Sequence, residues 1–156
     1  MNADRGNCRF PRAARLRRPL DFKAVYAGRT SVAAGPLVLY GLPRSDTTES
    51  RLGLSVSRRV GNAVVRNRWK RRLRDVFRRL RGRLPAALDL VVVVRAAGPP
   101  RTGAAGVAEI ERLLLDLAAR LRKKVSRRAA EASPSDEQSH PDSPQSSGKR
   151  SGGSNG

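Results

Sequence analysis

The stretch from Arg58 to Arg83, RRVGNAVVRNRWKRRLRDVFRRLRGR, constrains the fold more than any other part of the chain. At about 100° per residue, Val65, Trp69, Leu73, Val76 and Leu80 fall on one stripe, with Phe77 at its edge. That predicts an amphipathic helix whose stripe must be buried against a core. Asn67, Lys70, Arg71, Arg74, Arg78 and Arg81 lie opposite, and Arg68, Arg72 and Arg79 line one flank. Gly61 and Asn62 suit the start of the helix, because Gly permits an unusual turn and Asn can cap orphan amides. Gly82 and Pro85 suit its end. Between Arg66 and Arg83, ten of eighteen residues are Arg or Lys and the only acid is Asp75. Solvated helix faces usually mix signs, gaining about 0.2–0.5 kcal/mol per i,i+4 pair. This face does not, so its like charges require a polyanion to neutralise them. A nucleic acid backbone suits it better than a membrane surface, because Trp69 and Phe77 sit at core spacing within a longer patterned chain.

A length of 156 residues allows one domain and a tail. The net charge is +20, and of 33 basic residues only 5 are Lys; Arg holds phosphate bidentately and stacks on bases. Cys8 is the only cysteine, which excludes an internal disulfide and a cysteine-based zinc cluster and is consistent with a reduced, cytoplasmic setting. No run approaches the roughly 18 apolar residues of a membrane span, and the N-terminus lacks the apolar centre of a secretory signal. Residues 1–18 share the Arg-rich, acid-poor character of transit peptides, but Pro11 and Pro19 interrupt a long amphipathic helix there.

Taken in order, the chain divides into a basic N-terminal arm (1–18), a domain (19–125) and a disordered Ser/Pro/Gly-rich tail (126–156). Pro19 fits the first position of a helix, and PLDFKAVYAG reads as a short one closed by Gly28. Phe22 and Tyr26, four apart, share a face, which serves either core packing or base stacking. GPLVLYGL (35–42) and RLGLSVS (51–57) read as strands joined by a polar loop that looks like a hairpin connection. In the second strand Leu52, Leu54 and Val56 share one face, leaving Gly53, Ser55 and Ser57 on the other. So small a face is either covered by a helix or floors an open groove; Tyr40 is an ordinary strand residue or stands beside that floor. LDLVVVVR (88–95) is apolar throughout, as in a strand buried on both faces at the centre of a sheet. A helix from about Ala105 to Lys124 follows, with Val107, Ile110, Leu114, Leu117 and Leu121 at helical spacing.

Side-chain catalysis usually needs His, Cys or clustered carboxylates. His140 is stranded in the tail and Cys8 in the arm, while Asp21, Asp75, Asp89, Glu109, Glu111 and Asp116 show no paired spacing. No catalytic residue and no metal-ligand set is assigned to the protein, so any activity has to come from a partner, which for so basic a protein is naturally RNA.

LRRPLDFKAVYAGRTS, RLGLSVSRRVGNAVVRNRWKRRLRDVFR and LDLVVVV, between Leu16 and about Arg95, resemble the bacterial ribonuclease P protein component, with the A-x-x-R-N-R core at Ala63 to Arg68 as that family's RNR signature. The resemblance implies an α+β fold: a two-layer α/β sandwich with a mixed four-stranded sheet in the order α-β-β-β-α-β-α, of the ribosomal protein S5 domain 2-like kind. It also implies a left-handed β-α-β crossover, whereas patterning alone would predict the common right hand. The implied role is that of a non-catalytic subunit: a catalytic RNA, using magnesium that it mainly holds itself, removes the 5′ leader from precursor tRNA. One monomeric protein per RNA would assist. By the same resemblance, Arg58, Arg59, Asn62, Arg66, Asn67, Arg68, Lys70, Arg71 and Arg74 would contact the catalytic RNA. Phe22, Tyr26, Tyr40, Ser55 and Ser57 would line a cleft for the single-stranded leader. A ribosomal protein bound to ribosomal RNA shares the charge and size but needs no such cleft, and the strands flanking the basic helix speak against a DNA-binding helix-turn-helix protein.

Overall fold

The computed structural model describes residues 10–95 and 98–133. Three helices and four strands follow in order: α1 (Pro19–Ala27), β1 (Ser31–Ala34), β2 (Leu37–Pro43), β3 (Arg51–Val56), α2 (Ala63–Leu80), β4 (Leu88–Val94) and α3 (Gly103–Ala132). The sheet order is β1-β2-β4-β3, antiparallel except for the parallel pair of β3 and β4. This is the expected mixed α+β sandwich, with α2 carrying the chain between two neighbouring parallel strands.

The loop between β2 and β3 is not a hairpin connection, because β4 lies between those strands. The apolar run that reads as a central strand takes the inner place, its register running from Leu37↔Val94 on one side to Val56↔Val94 on the other. The hairpin is instead β1–β2, turning at Gly35 with φ of +52°. Sequence patterning misses β1 because SVAA offers too few bulky residues to show a period.

Alternation along the strands assigns the two faces of the sheet. Leu37, Leu39, Leu52, Leu90, Val92 and Val94 are buried beneath α2 and α3, joined by Trp69, Leu73, Val76, Phe77 and Leu80 of α2 and by Ile110, Leu114, Leu117 and Leu121 of α3. The stripe read from the sequence is thus the face that α2 buries. The opposite face carries a smaller cluster, Leu16, Val25 and Val91, against which Phe22, Tyr40, Leu42 and Val93 are half-buried.

Both ends of the expected domain extend further. Phe10, Ala14 and Leu16 are buried. Phe10 meets Phe77 edge to face at 5.3 Å, and the Leu16 amide donates to the Leu52 carbonyl at 3.0 Å. The N-terminal segment is therefore anchored, by Phe10 to α2 and by Arg15 and Leu16 to β3, rather than forming an extended arm. At the other end α3 runs on to Ala132, past the expected boundary. Its extra turns are held by Arg128, which donates to the Gly28 carbonyl and to Thr30 Oγ1, each at 2.6 Å. Arg120 and Lys124 likewise donate to the Ala33 and Ser31 carbonyls, covering the exposed edge of β1. Cys8, His140 and the remainder of the tail lie outside the described residues.

Candidate nucleic-acid interface

Pro19 at the first turn and the Gly28 amide bonding back to Ala24 define α1, which packs against β2 and β4 on the face that also carries Leu16. The register sets Tyr40, Val91 and Gly53 side by side in one row and Val38, Val93 and Ser55 in the next. Phe22 lies directly on Gly53: a Cβ there would come within 2.7 Å of Phe22 Cζ. The small face of β3 is therefore covered by an aromatic ring at Gly53 and left accessible at Ser55. Tyr26 and Tyr40 meet edge to face, 5.0 Å apart at 88°. Tyr26 and Tyr40 thus pair on the same side of the sheet as the Phe22 ring that covers Gly53, with Ser55 half-buried in the next row and the exposed Ser57 just past the end of β3. Gly53→Ala should push Phe22 and Leu16 aside, as overpacking does, costing about 1–3 kcal/mol; denaturant unfolding would show it as a lowered midpoint.

The basic helix begins beside the same strand. Asn62 caps α2, its Oδ1 accepting from the Val65 amide at 3.0 Å, and Gly61 allows the close approach, since a Cβ would sit 2.9 Å from Val65 Cβ. Asn62 therefore has a structural role as the cap of α2, and its exposed position leaves it available for further contacts. Arg58 and Arg59 are exposed in a 3₁₀ turn between β3 and α2. Trp69 is buried and donates from Nε1 to the Gly98 carbonyl at 2.9 Å, tying α2 to the chain that leads into α3.

Charge is not uniform along α2. In its C-terminal half Asp75 pairs with Arg78 at 2.6 Å and Arg79 at 3.0 Å, and Arg79 also reaches Glu111. Just beyond the helix, Arg81 pairs with Glu49. Among the described residues, Arg66, Arg68, Lys70, Arg71, Arg72 and Arg74 have no carboxylate partner, and neither do Arg58 and Arg59. Arg66 Nε is buried without a hydrogen-bond partner. Arg68, Arg71, Arg72 and Arg74 line a wide groove of about 710 Å³ that also touches Phe10 and Arg15. Its neighbour, a cavity of about 250 Å³, runs from Lys70 and Arg74 past Leu54 to Phe22, so it joins the cationic helix to the Phe22 ring around the edge of β3.

The sequence profile of the ribonuclease P family matches residues 10–128. The chain belongs to the ribonuclease P protein family. It is 47% identical over 81 residues to the ribonuclease P protein component of Shouchella clausii, covering 52% of this chain and 66% of that protein. With the Gluconacetobacter diazotrophicus protein it shares 40% identity over 104 residues, 66% of this chain and 90% of the relative. The fold matches the Staphylococcus aureus RNase P protein with a TM-score of 0.60 at 30% identity, over 72% of this chain and 98% of that one. The corresponding values for the Thermotoga maritima RNase P protein are 0.57, 28%, 68% and 96%.

Within this family member, sequence reasoning missed Phe10 and Arg15. Both lie in the segment whose composition predicts an arm, yet both line the basic groove. The signal available was weak: an isolated Phe before a Pro, and one Arg among several. Among the described residues, no group of three or more His, Cys, Asp or Glu comes together that could hold a metal ion, and no helix is long and apolar enough to cross a membrane.

Proposed function

We propose that the protein is the subunit of a ribonuclease P ribonucleoprotein that grips a catalytic RNA with the N-terminal half of α2 and holds the single-stranded 5′ leader of precursor tRNA in the aromatic groove. The observation that carries this reading is the junction around the edge of β3. Cations without acid partners open there onto a cavity that also contains Phe22. Unpaired guanidinium groups suit a phosphate backbone, which each can hold bidentately. Aromatic faces over a shallow floor suit unpaired bases, which stack without demanding a particular sequence. A protein that only braced folded RNA would need the first feature and not the second.

Bond cleavage is assigned to the RNA, with magnesium held mainly by its phosphates. Arg66, Asn67, Arg68, Lys70, Arg71 and Arg74 would neutralise backbone near that centre and so order the RNA that holds the metal, and Arg58, Arg59 and Asn62 would extend the contact. The partners are then the catalytic RNA and precursor tRNA, with one monomeric protein per RNA, in the cytoplasm. Reconstitution with catalytic RNA tests the reading: at low magnesium, cleavage of precursor tRNA is expected to depend on this protein. A rate unchanged by its addition would refute the assignment.

A further inference from the structure

We propose that Arg15 and Arg74 together seat a single RNA phosphodiester, between the N-terminal segment and α2; the proposal rests on the reading of the protein as an RNA-binding subunit and adds a site to it. Arg15 is fixed to the sheet before its side chain begins, because its backbone bridges in parallel to Leu52 and the next amide bonds the Leu52 carbonyl. Its Nη2 donates to the Phe10 carbonyl at 2.8 Å, and its guanidinium lies 5.2 Å from the centre of the Phe10 ring. Its Nε is buried with no partner. A buried unmet donor is costly, and a cationic one more so.

Arg74 lines the same two cavities as Arg15 and has no carboxylate partner among the described residues. Although the residue is exposed overall, partial burial of its guanidinium, and then the like charge of Arg15, hold its pKa below the usual arginine value. Asp75 also lines the larger cavity but is engaged by Arg78 and Arg79, so the two guanidiniums repel each other unless an anion lies between them. The smaller cavity, about 250 Å³, has no carboxylate in its lining and adds Lys70 and Arg17 to the pair. That is ample for a phosphate group, given that one water takes about 30 Å³. Forked N–H donors from each side match its oxygens. Phe22 borders the same cavity, so the seat lies beside the ring to which base stacking is assigned. The segment from Phe10 to Leu16 thereby becomes part of the RNA interface.

The phosphate can come from the catalytic RNA or from the leader, and both are tested. Affinity is measured against salt for Arg15→Ala, Arg74→Ala and the double variant, with catalytic RNA alone and with leader-bearing precursor bound to the holoenzyme. If one phosphate is shared, each single variant lowers the log–log slope by about 0.7–0.9 and the double variant lowers it no further. The arm in which this happens identifies the source. Additive slopes would mean two separate phosphates and would overturn the proposal. So would unchanged slopes in both arms while wild-type protein still stimulates cleavage, a result that leaves the functional reading standing. Inorganic phosphate titrated into free protein gives an independent check. The Nε–H resonances of Arg15 and Arg74 are expected to shift together with one Kd, and independent or absent shifts would sink the shared seat even if stimulation of cleavage also failed. Should Arg15→Ala not fold, Arg15→Lys keeps the charge and removes the fork; it is expected to weaken the phosphate titration, and undiminished affinity would count against the site.

Discussion

Replacing Arg68 and Arg71 together with alanine is expected to weaken binding to the catalytic RNA steeply and to lower the slope of log K against log salt by about 1.4–1.8, or about 0.7–0.9 for each phosphate released. Both side chains are exposed, have no acid partner among the described residues and face the wide groove beside α2. Their removal should leave the fold intact, since surface substitutions away from caps and buried networks usually stay within about 0.5 kcal/mol. Arg79→Ala provides the contrast. Its guanidinium is already engaged by Asp75 and Glu111, so its loss should change the slope less. A salt titration in which the double variant keeps the wild-type slope would show that these arginines do not touch phosphate.

The second large effect is expected at Phe22. Phe22→Ala should weaken binding of leader-bearing precursor to the holoenzyme by about 1–3 kcal/mol, the usual worth of one base stacked on an aromatic ring, and leave mature tRNA almost unaffected. The ring also covers Gly53 and packs against the cluster formed by Leu16, Val25 and Val91, so truncation will cost some stability as well as stacking. Phe22→Leu separates the two effects, because it keeps an apolar side chain over Gly53 and removes the aromatic face. The decisive comparison is between precursor and mature tRNA in equilibrium binding. Equal losses for both would mean that the ring supports the fold and reads no leader.

The groove and the helix differ in how legible they were. The buried face of α2 could be read from Val65 to Leu80, because neighbours three and four apart on a helix are set by local geometry. The inner position of β4 followed from its unbroken apolar run, and the two faces of β3 followed from strict alternation. The partners of the strands did not follow. Arg51 to Val56 pairs with a strand reached only after the whole of α2, and nothing in either segment names the other. The grouping of Phe22, Tyr26 and Tyr40 came from family resemblance, with residue patterning leaving core packing and stacking both open.

Local periodicity and charge, then, determined the three helices and the strands β2, β3 and β4, which stripe of α2 is buried, and the expectation of an anionic partner. The tertiary structure alone decided which arginines remain available for that anion. Asp75, Glu111 and Glu49 take up Arg78, Arg79 and Arg81, while Arg15 is carried beside Arg74 by a strand edge. The physical reason is that side-chain periodicity is written within a few neighbouring residues, whereas the meeting of distant charges depends on how buried apolar faces stack, and that is settled only by the packing of the entire core.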